Sequence, residues 1–206
     1  MNNQNFYYKS LGGRLLGSTA REQLILEEMK KLGKKDFFVD IGCAQGHYLH
    51  AAKEQGANAF GLEFEKNNIV QVKNAESFGL VNADAQQTPF KSSCFDFVLC
   101  SEVLEHVPNW KKGLEELKRI ARKKIMITIP LEKSMQWNFF SFFAPMKTRG
   151  HLHKLDSQDI EREMKGWKLE KKVLVHTPSI KLNKKLEKRV SEKKAMYSVM
   201  VFERQK

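Results

Sequence analysis

The sequence predicts an α/β fold: a Rossmann-like, mostly parallel sheet with helices on both faces and one antiparallel strand near the C-terminus. Three observations carry that expectation. Short apolar runs alternate with amphipathic stretches as far as residue 130, the pattern of successive βαβ units. The runs FFVDI and IMITI are nearly continuous in apolar character, as strands buried on both faces are. The last third differs: 167–176 (WKLEKKVLVH) and 196–203 (MYSVMVFE) alternate, with no clear helix between them. Two such strands can pair antiparallel at one end of the sheet.

The elements follow in order. Residues 18–32 (STAREQLILEEMKKL) read as a helix, with Ser18 as cap, Glu22 in the first turn and Gly33 as the stop. Residues 37–41 are a strand ending at a glycine. Residues 47–55 are a helix closed by Gly56. A second strand covers 58–63 (NAFGLE), a helix 66–77, and a short third strand 79–82 (GLVN). A fourth strand covers 95–101 (FDFVLCS), followed by a helix near 110–121. A fifth covers 124–129 (KIMITI), stopped by Pro130. Residues 131–155 are irregular and aromatic, and 156–165 (DSQDIEREMK) look like a capped helix.

Composition sets bounds. At 206 residues, the chain suits one domain better than two. It divides into an N-terminal helical cap at 1–35, an aromatic cap insert at 131–155 and a basic insert at 177–195. No apolar run is long enough for a membrane-spanning helix. The N-terminus MNNQNFYYKSLGG lacks the apolar centre of a signal peptide. Cys43, Cys94 and Cys100 make no even disulfide framework, and their spacing suits no zinc site. The expected setting is therefore reducing and cytoplasmic, with peripheral membrane contact as an addition. A net charge of +12 favours an anionic partner over mere solubility no more than evenly.

The sharpest feature is FFVDIGCAQGHYL at 37–49. A strand ends at Asp40, then Gly42 and Gly46 bracket a tight turn before a helix. Such a turn brings backbone N–H groups close to a ligand. The dinucleotide pattern G-x-G-x-x-G is not met, because Ala44 and His47 stand at the second and third glycine positions. No Lys-Ser/Thr pair follows, so no triphosphate site is indicated. Asp40 would repel a pyrophosphate and suit a cationic group such as an ammonium. Glu63 ends the second strand, where a carboxylate can accept from two ribose hydroxyls. Asp84 follows the third. Each of three successive strands thus delivers an acid near its C-terminal end, where ligands of open α/β sheets bind.

With these residues in place, VDIGCAQG at 39–46 resembles the first motif of class I S-adenosylmethionine-dependent methyltransferases, usually VDIGCGTG or near it. GLEFEKN at 61–67 resembles the second-strand motif. NADAQQTPFKSSCFDFVLCSEVLEHVPN at 82–109 resembles the third and fourth motifs of the small-molecule branch, the group of the methyltransferase 11 type. The likeness covers about 37–130, and more loosely 150–176. It implies S-adenosylmethionine as cofactor. It implies that Asp40 shapes the first loop and faces the cofactor's amino acid part, with Gly42, Ala44 and Gly46 letting the backbone pass close. Glu63 would hold the ribose hydroxyls, Phe64 pack on the adenine, Asp84 accept from its exocyclic amine and the Ala85 backbone read the ring. Ser101 would lie beneath the methionine portion. Ala44 departs from the family's usual glycine, which is expected to weaken cofactor binding at most.

A sulfonium methyl is already electrophilic, so the protein mainly aligns a nucleophile and excludes water. Where the nucleophile must lose a proton, His106 in SEVLEHV is the candidate base. His151 and His153 in GHLHKL are the runners-up, on the substrate side. Neither an Asn/Asp/Ser-Pro-Pro-aromatic motif nor a Pro-Cys nucleophile is present, which disfavours adenine or glutamine amino methylation and base C5 methylation. The expected acceptor is a small molecule or a lipid-like one, received by a cap from 1–17 and 131–155. Trp137 and Phe140 belong to an aromatic cluster there, which is either a binding surface or a helix packed on the sheet. Residues 181–194 (KLNKKLEKRVSEKK) could bind RNA or an anionic membrane surface, or be a solvated face. An RNA methyltransferase and a catalytically silent cofactor-binding subunit stay open as rivals. A nicotinamide-dependent oxidoreductase is disfavoured by Asp40 and the missing glycines.

Overall fold

In the computed structural model, residues 19–134, 150–175, 192 and 195–205 are described. Trp137, Phe140, most of the basic 181–194 stretch and the first 18 residues lie outside them. Chain order gives α1 (Ala20–Met29), β1 (Phe37–Ile41), α2 (His47–Glu54), β2 (Asn58–Glu63), α3 (Lys66–Ile69), β3 (Gly79–Asn82), β4 (Phe95–Ser101), α4 (Trp110–Ile120), β5 (Ala121–Pro130), α5 (Ser157–Glu163), β6 (Trp167–Val175) and β7 (Tyr197–Arg204).

The seven strands form one sheet in the order β3-β2-β1-β4-β5-β7-β6. Strands β1 to β5 run parallel, and β7 is antiparallel to both its neighbours, β5 and β6. From β1 the chain steps outward to β2 and β3, then returns to the other side of β1 for β4. The order reverses there, and open α/β sheets bind ligands at such a point, beyond the strand C-termini.

Alternation along the strands builds two cores. Val39, Val98, Ile125 and Ile127 face Leu114, Leu117 and Ile160 of α4 and α5. Phe38, Phe97, Leu99 and Met126 face Leu24, Ile25, Leu49 and Ala52 of α1 and α2. Neighbouring residues such as Phe38 and Val39 thus serve opposite faces, the period of two that strands impose.

Three sequence expectations need correction. The cap of α1 is Thr19, not Ser18: its hydroxyl accepts from Glu22 N–H, and Glu22 returns the bond to Thr19 N–H, both at 3.2 Å. The helix also ends at Met29, ahead of Gly33. The helix expected over 66–77 is reduced to the single turn α3 and a 3₁₀ turn at Ala75–Ser77. Neither piece contains a buried residue, and Asn74 takes a left-handed φ of 52° between them. Across 66–77 only Val72 is buried, and a helix that buries one side chain has little to offset its nucleation cost. By contrast, α5 forms as expected, with a reciprocal cap between Asp156 and Asp159.

Candidate active site

The loop after β1 is held in place by β2. Gly42 N–H and Cys43 N–H both donate to the Leu62 carbonyl, at 2.7 and 3.0 Å. Gly42 and Gly46 each have φ of 76°, and a Cβ on Gly42 would lie 2.4 Å from Val103 Cγ2. Glycine is required there by both backbone and space. Ala44 also lies in the left-handed region, at φ 45°. Its N–H donates to Glu63 Oε2 at 2.8 Å, while Glu65 N–H donates to Glu63 Oε1 at 2.9 Å. Glu63 therefore fastens the loop to the end of its own strand.

Asp40 sits behind this loop, 2% exposed. Burial first, and the negative charge of Glu63 second, push its carboxyl well above the usual range.

A cavity of about 670 Å³ opens at the C-terminal ends of β1 to β4, within the size range of small-molecule sites. Gly42 and Ala44 wall it from the first loop, and Glu63 and Phe64 from the end of β2. Asp84, Ala85 and Gln86 follow from the segment after β3, and Glu102, Val103 and His106 from the segment after β4. Seven residues singled out in the sequence thus share one wall: Gly42, Ala44, Glu63, Phe64, Asp84, Ala85 and His106. Asp40, Gly46 and Ser101 do not reach it. Phe64 stands 67% exposed on that wall.

Two neighbours escaped the sequence reading. Gln86 donates to both oxygens of Asp84 through its side-chain amide, and through its backbone N–H to Oδ1 at 2.8 Å. Its Oε1 accepts from Asn109 N–H at 2.9 Å, tying this segment to the start of α4. The backbone part is an Asx turn, which Asp-x-Gln spacing could have suggested. Glu102, directly after β4, has φ of 58° and pairs with Arg21 at 2.7 Å. Non-glycine residues in that region are enriched at functional sites. Thr128 Oγ1 donates to Glu102 at 3.2 Å. That leaves the Ser101 hydroxyl as donor to Thr128, at 2.9 Å, so Ser101 turns toward β5.

A polar cluster adjoins the cavity. His106 Nδ1 is 3.0 Å from the Gly150 carbonyl. A carbonyl only accepts, so Nδ1 carries the proton. The His106 and His151 rings meet edge to face at 4.5 Å. His151 Nδ1 is hydrogen-bonded to Glu132. Glu105 is 1% exposed, and neither carboxylate oxygen has a hydrogen-bond partner among the described residues. Its pKa is raised, by burial first and then by the charge of Glu102. The Glu105 carbonyl accepts from Leu152 N–H and His153 N–H, at 2.7 and 3.2 Å. His153 Nε2 lies 3.1 Å from the carbonyls of both Val107 and Pro108, so this ring anchors the segment and does not face the cavity.

Residues 39–127 match the family model described as a methyltransferase domain. Those residues are thus similar to a methyltransferase domain. S-adenosylmethionine is the methyl donor of this family. An uncharacterized protein of Methanocaldococcus jannaschii is 34% identical to this chain over 131 residues, 59% of the chain and 56% of the relative. A demethylmenaquinone methyltransferase of Staphylococcus aureus is 27% identical over 135 residues, 57% of the chain and 56% of the relative. The chain therefore spans somewhat over half the length of these curated relatives. A chain of the complex that holds the Haloferax volcanii Trm112 methyltransferase activator shares the fold, with a TM-score of 0.69 and 14% identity over 89% of this chain and 88% of that one. Among the described residues, no helix is long and apolar enough to cross a membrane.

Proposed function

We propose that the protein transfers the methyl group of S-adenosylmethionine to a small-molecule acceptor, lipid-like ones included. The observation that carries this reading is the shared wall of the cavity. The first glycine loop, the acid ending β2 and the acid after β3 meet on one ligand-sized space, where the strand order reverses.

The residues suit that cofactor. Gly42 presents backbone where a methyl group would clash with Val103. Each oxygen of Glu63 accepts one backbone N–H and keeps a lone pair for a ribose hydroxyl. Phe64 offers an exposed ring face for an adenine to pack on. Asp84, drawn to Gln86, would take an exocyclic amine with the Ala85 backbone beside it. Bound there, S-adenosylmethionine supplies an electrophilic methyl group. The protein's own part is to hold the donor, align the acceptor and keep water out. His106 is the candidate base, since Nδ1–H is committed to Gly150 and Nε2 retains its lone pair. The menaquinone-type acceptor in the name of one relative supports the lipid-like option.

Calorimetry tests the reading. The protein is expected to bind S-adenosylmethionine and its demethylated product, and not NAD. The substitution Glu63→Ala is expected to cost about 1.5–3 kcal/mol of cofactor affinity, the range for hydrogen bonds to a charged group. Tight NAD binding with no response to S-adenosylmethionine would overturn the proposal.

A further inference from the structure

We propose that Glu105, His106 and His151 form a binding site for one divalent transition-metal ion, with Glu132 supporting it from behind His151. One ligand atom from each of the three lies within 4.8 Å of the other two. The hydrogen bonds around them prepare the imidazoles in the same way. His106 commits Nδ1 to the Gly150 carbonyl, and His151 commits Nδ1 to the Glu132 carboxylate. Each ring therefore keeps Nε2, which bonds to no described residue, as a lone-pair donor. Carboxylate or carbonyl on one nitrogen and metal on the other is how proteins orient ligating histidines.

Glu105 is the independent observation. Its carboxylate is almost wholly buried, and neither oxygen finds a hydrogen-bond partner among the described residues. Leaving such a group unmade is costly, and a cation beside it removes the cost. The exposed His106 gives that cation a way in.

The donor set chooses the ion. Two imidazole nitrogens and one carboxylate, with a fourth position open, suit zinc and its neighbours and not magnesium or calcium, which take oxygen ligands. Zinc bonds of about 2.0–2.2 Å put tetrahedral ligands roughly 3.5 Å apart. Ligand atoms that lie within 4.8 Å of one another must therefore draw somewhat closer, which the exposed His106 ring can supply. The open position would accept an oxygen or nitrogen of a ligand beside the cofactor cavity, because His106 also lines that cavity. Ligation occupies the Nε2 lone pair that serves as base in the metal-free protein, so the metal-loaded protein has no base at His106. Cysteine spacing gave no sign of this site because it uses no cysteine.

The test uses the full chain, stripped with a chelator and dialysed against Zn(II) or Co(II), with bound metal measured directly. One ion per chain is expected, and Co(II) should show the visible absorption of a four-coordinate site. His106→Gln and His151→Gln should each lower metal affinity at least tenfold. Glu132→Gln should lower it about 10–100-fold, the range for partners of ligating histidines. Binding of S-adenosylhomocysteine by His151→Gln, equal to the parent, reports that the variant is folded. No retained ion, or unchanged affinity in a folded His151→Gln, overturns the proposal. Metal binding by a parent that ignores S-adenosylhomocysteine would overturn methyl transfer and leave the metal site standing, so the two readings fail separately.

Discussion

Ala44 occupies a backbone position that costs an L-residue about 1–2 kcal/mol. It is kept there by the bond from its N–H to Glu63. Replacing it with glycine relieves that strain but returns about 0.4–1 kcal/mol of entropy to the unfolded chain. The substitution Ala44→Gly is therefore expected to raise stability by up to about 1 kcal/mol, measured by chemical denaturation, with cofactor affinity equal or higher. A stability loss would mean that the methyl group makes contacts worth more than the strain. In the metal-free protein, His106→Ala is expected to lower turnover by about 10²–10⁴-fold, the contribution of a positioned base, while cofactor affinity changes much less. A loss below tenfold would assign His106 an orienting role. At this scale the sequence disclosed which side chains matter better than what they touch. Glu63 was legible as the acid ending a strand. Its grip on Ala44, 19 residues earlier, was not, because a hydrogen bond between a strand end and a loop leaves no periodicity. Glu102 was hidden for a similar reason: nothing in SEVLEH reveals a left-handed backbone.

At the scale of elements, the two rims of the sheet do different work. The rim away from the cavity is tied by Asp96 at the start of β4. It accepts from Phe37 N–H on β1 at 3.0 Å and from Arg122 on β5 at 2.6 and 3.0 Å, with Lys123 at 2.8 Å. Burial works against the Asp96 charge, but the bonds from Arg122, Lys123 and Phe37 outweigh it and hold its pKa near 2. Glu116 on α4 is likewise held at about 2, by Arg119 first and then by Thr88 against a burial cost. Both values lie below those of an unfolded carboxyl, about 4. Their stabilisation is complete above that value and is lost as pH falls from about 4 through about 2. Denaturation midpoints should drop across that window, and Asp96→Asn should both destabilise the protein near neutrality and flatten the drop. An unchanged slope would remove Asp96 from the account. Strands and the larger helices were legible because each buries an apolar face. The stretch 66–77 was misread because its residues have helical spacing but bury a single side chain, Val72.

For the whole molecule, the alternation of strands and helices disclosed the layers, while the place where strand order reverses became visible only in three dimensions. The parallel pairing of β2 and β3 brings acids 63 and 84 together, and the reversal sets the segment after β4 opposite them. The net charge of +12 belongs to this scale too. If residues 181–194 engage phosphates, reversing Lys184, Lys185, Lys188 and Arg189 to Glu should abolish binding to RNA or anionic vesicles. Binding by the parent should weaken steeply with salt as phosphate contacts release counterions. Methylation of a small soluble acceptor should survive. If the reversed protein binds both RNA and vesicles like the parent, the basic stretch is a solvated surface.

The bond between His151 and Glu132 has an evolutionary consequence. Together with the contacts of Gly150, Leu152 and His153 to residues 105–108, it joins three stretches that lie far apart in the sequence. A change at one of them is felt by the partners it bonds to, and residues that share a network do not act independently. Selection then sees Glu132, His151 and His106 as one unit, so these positions should change together among relatives and not one at a time.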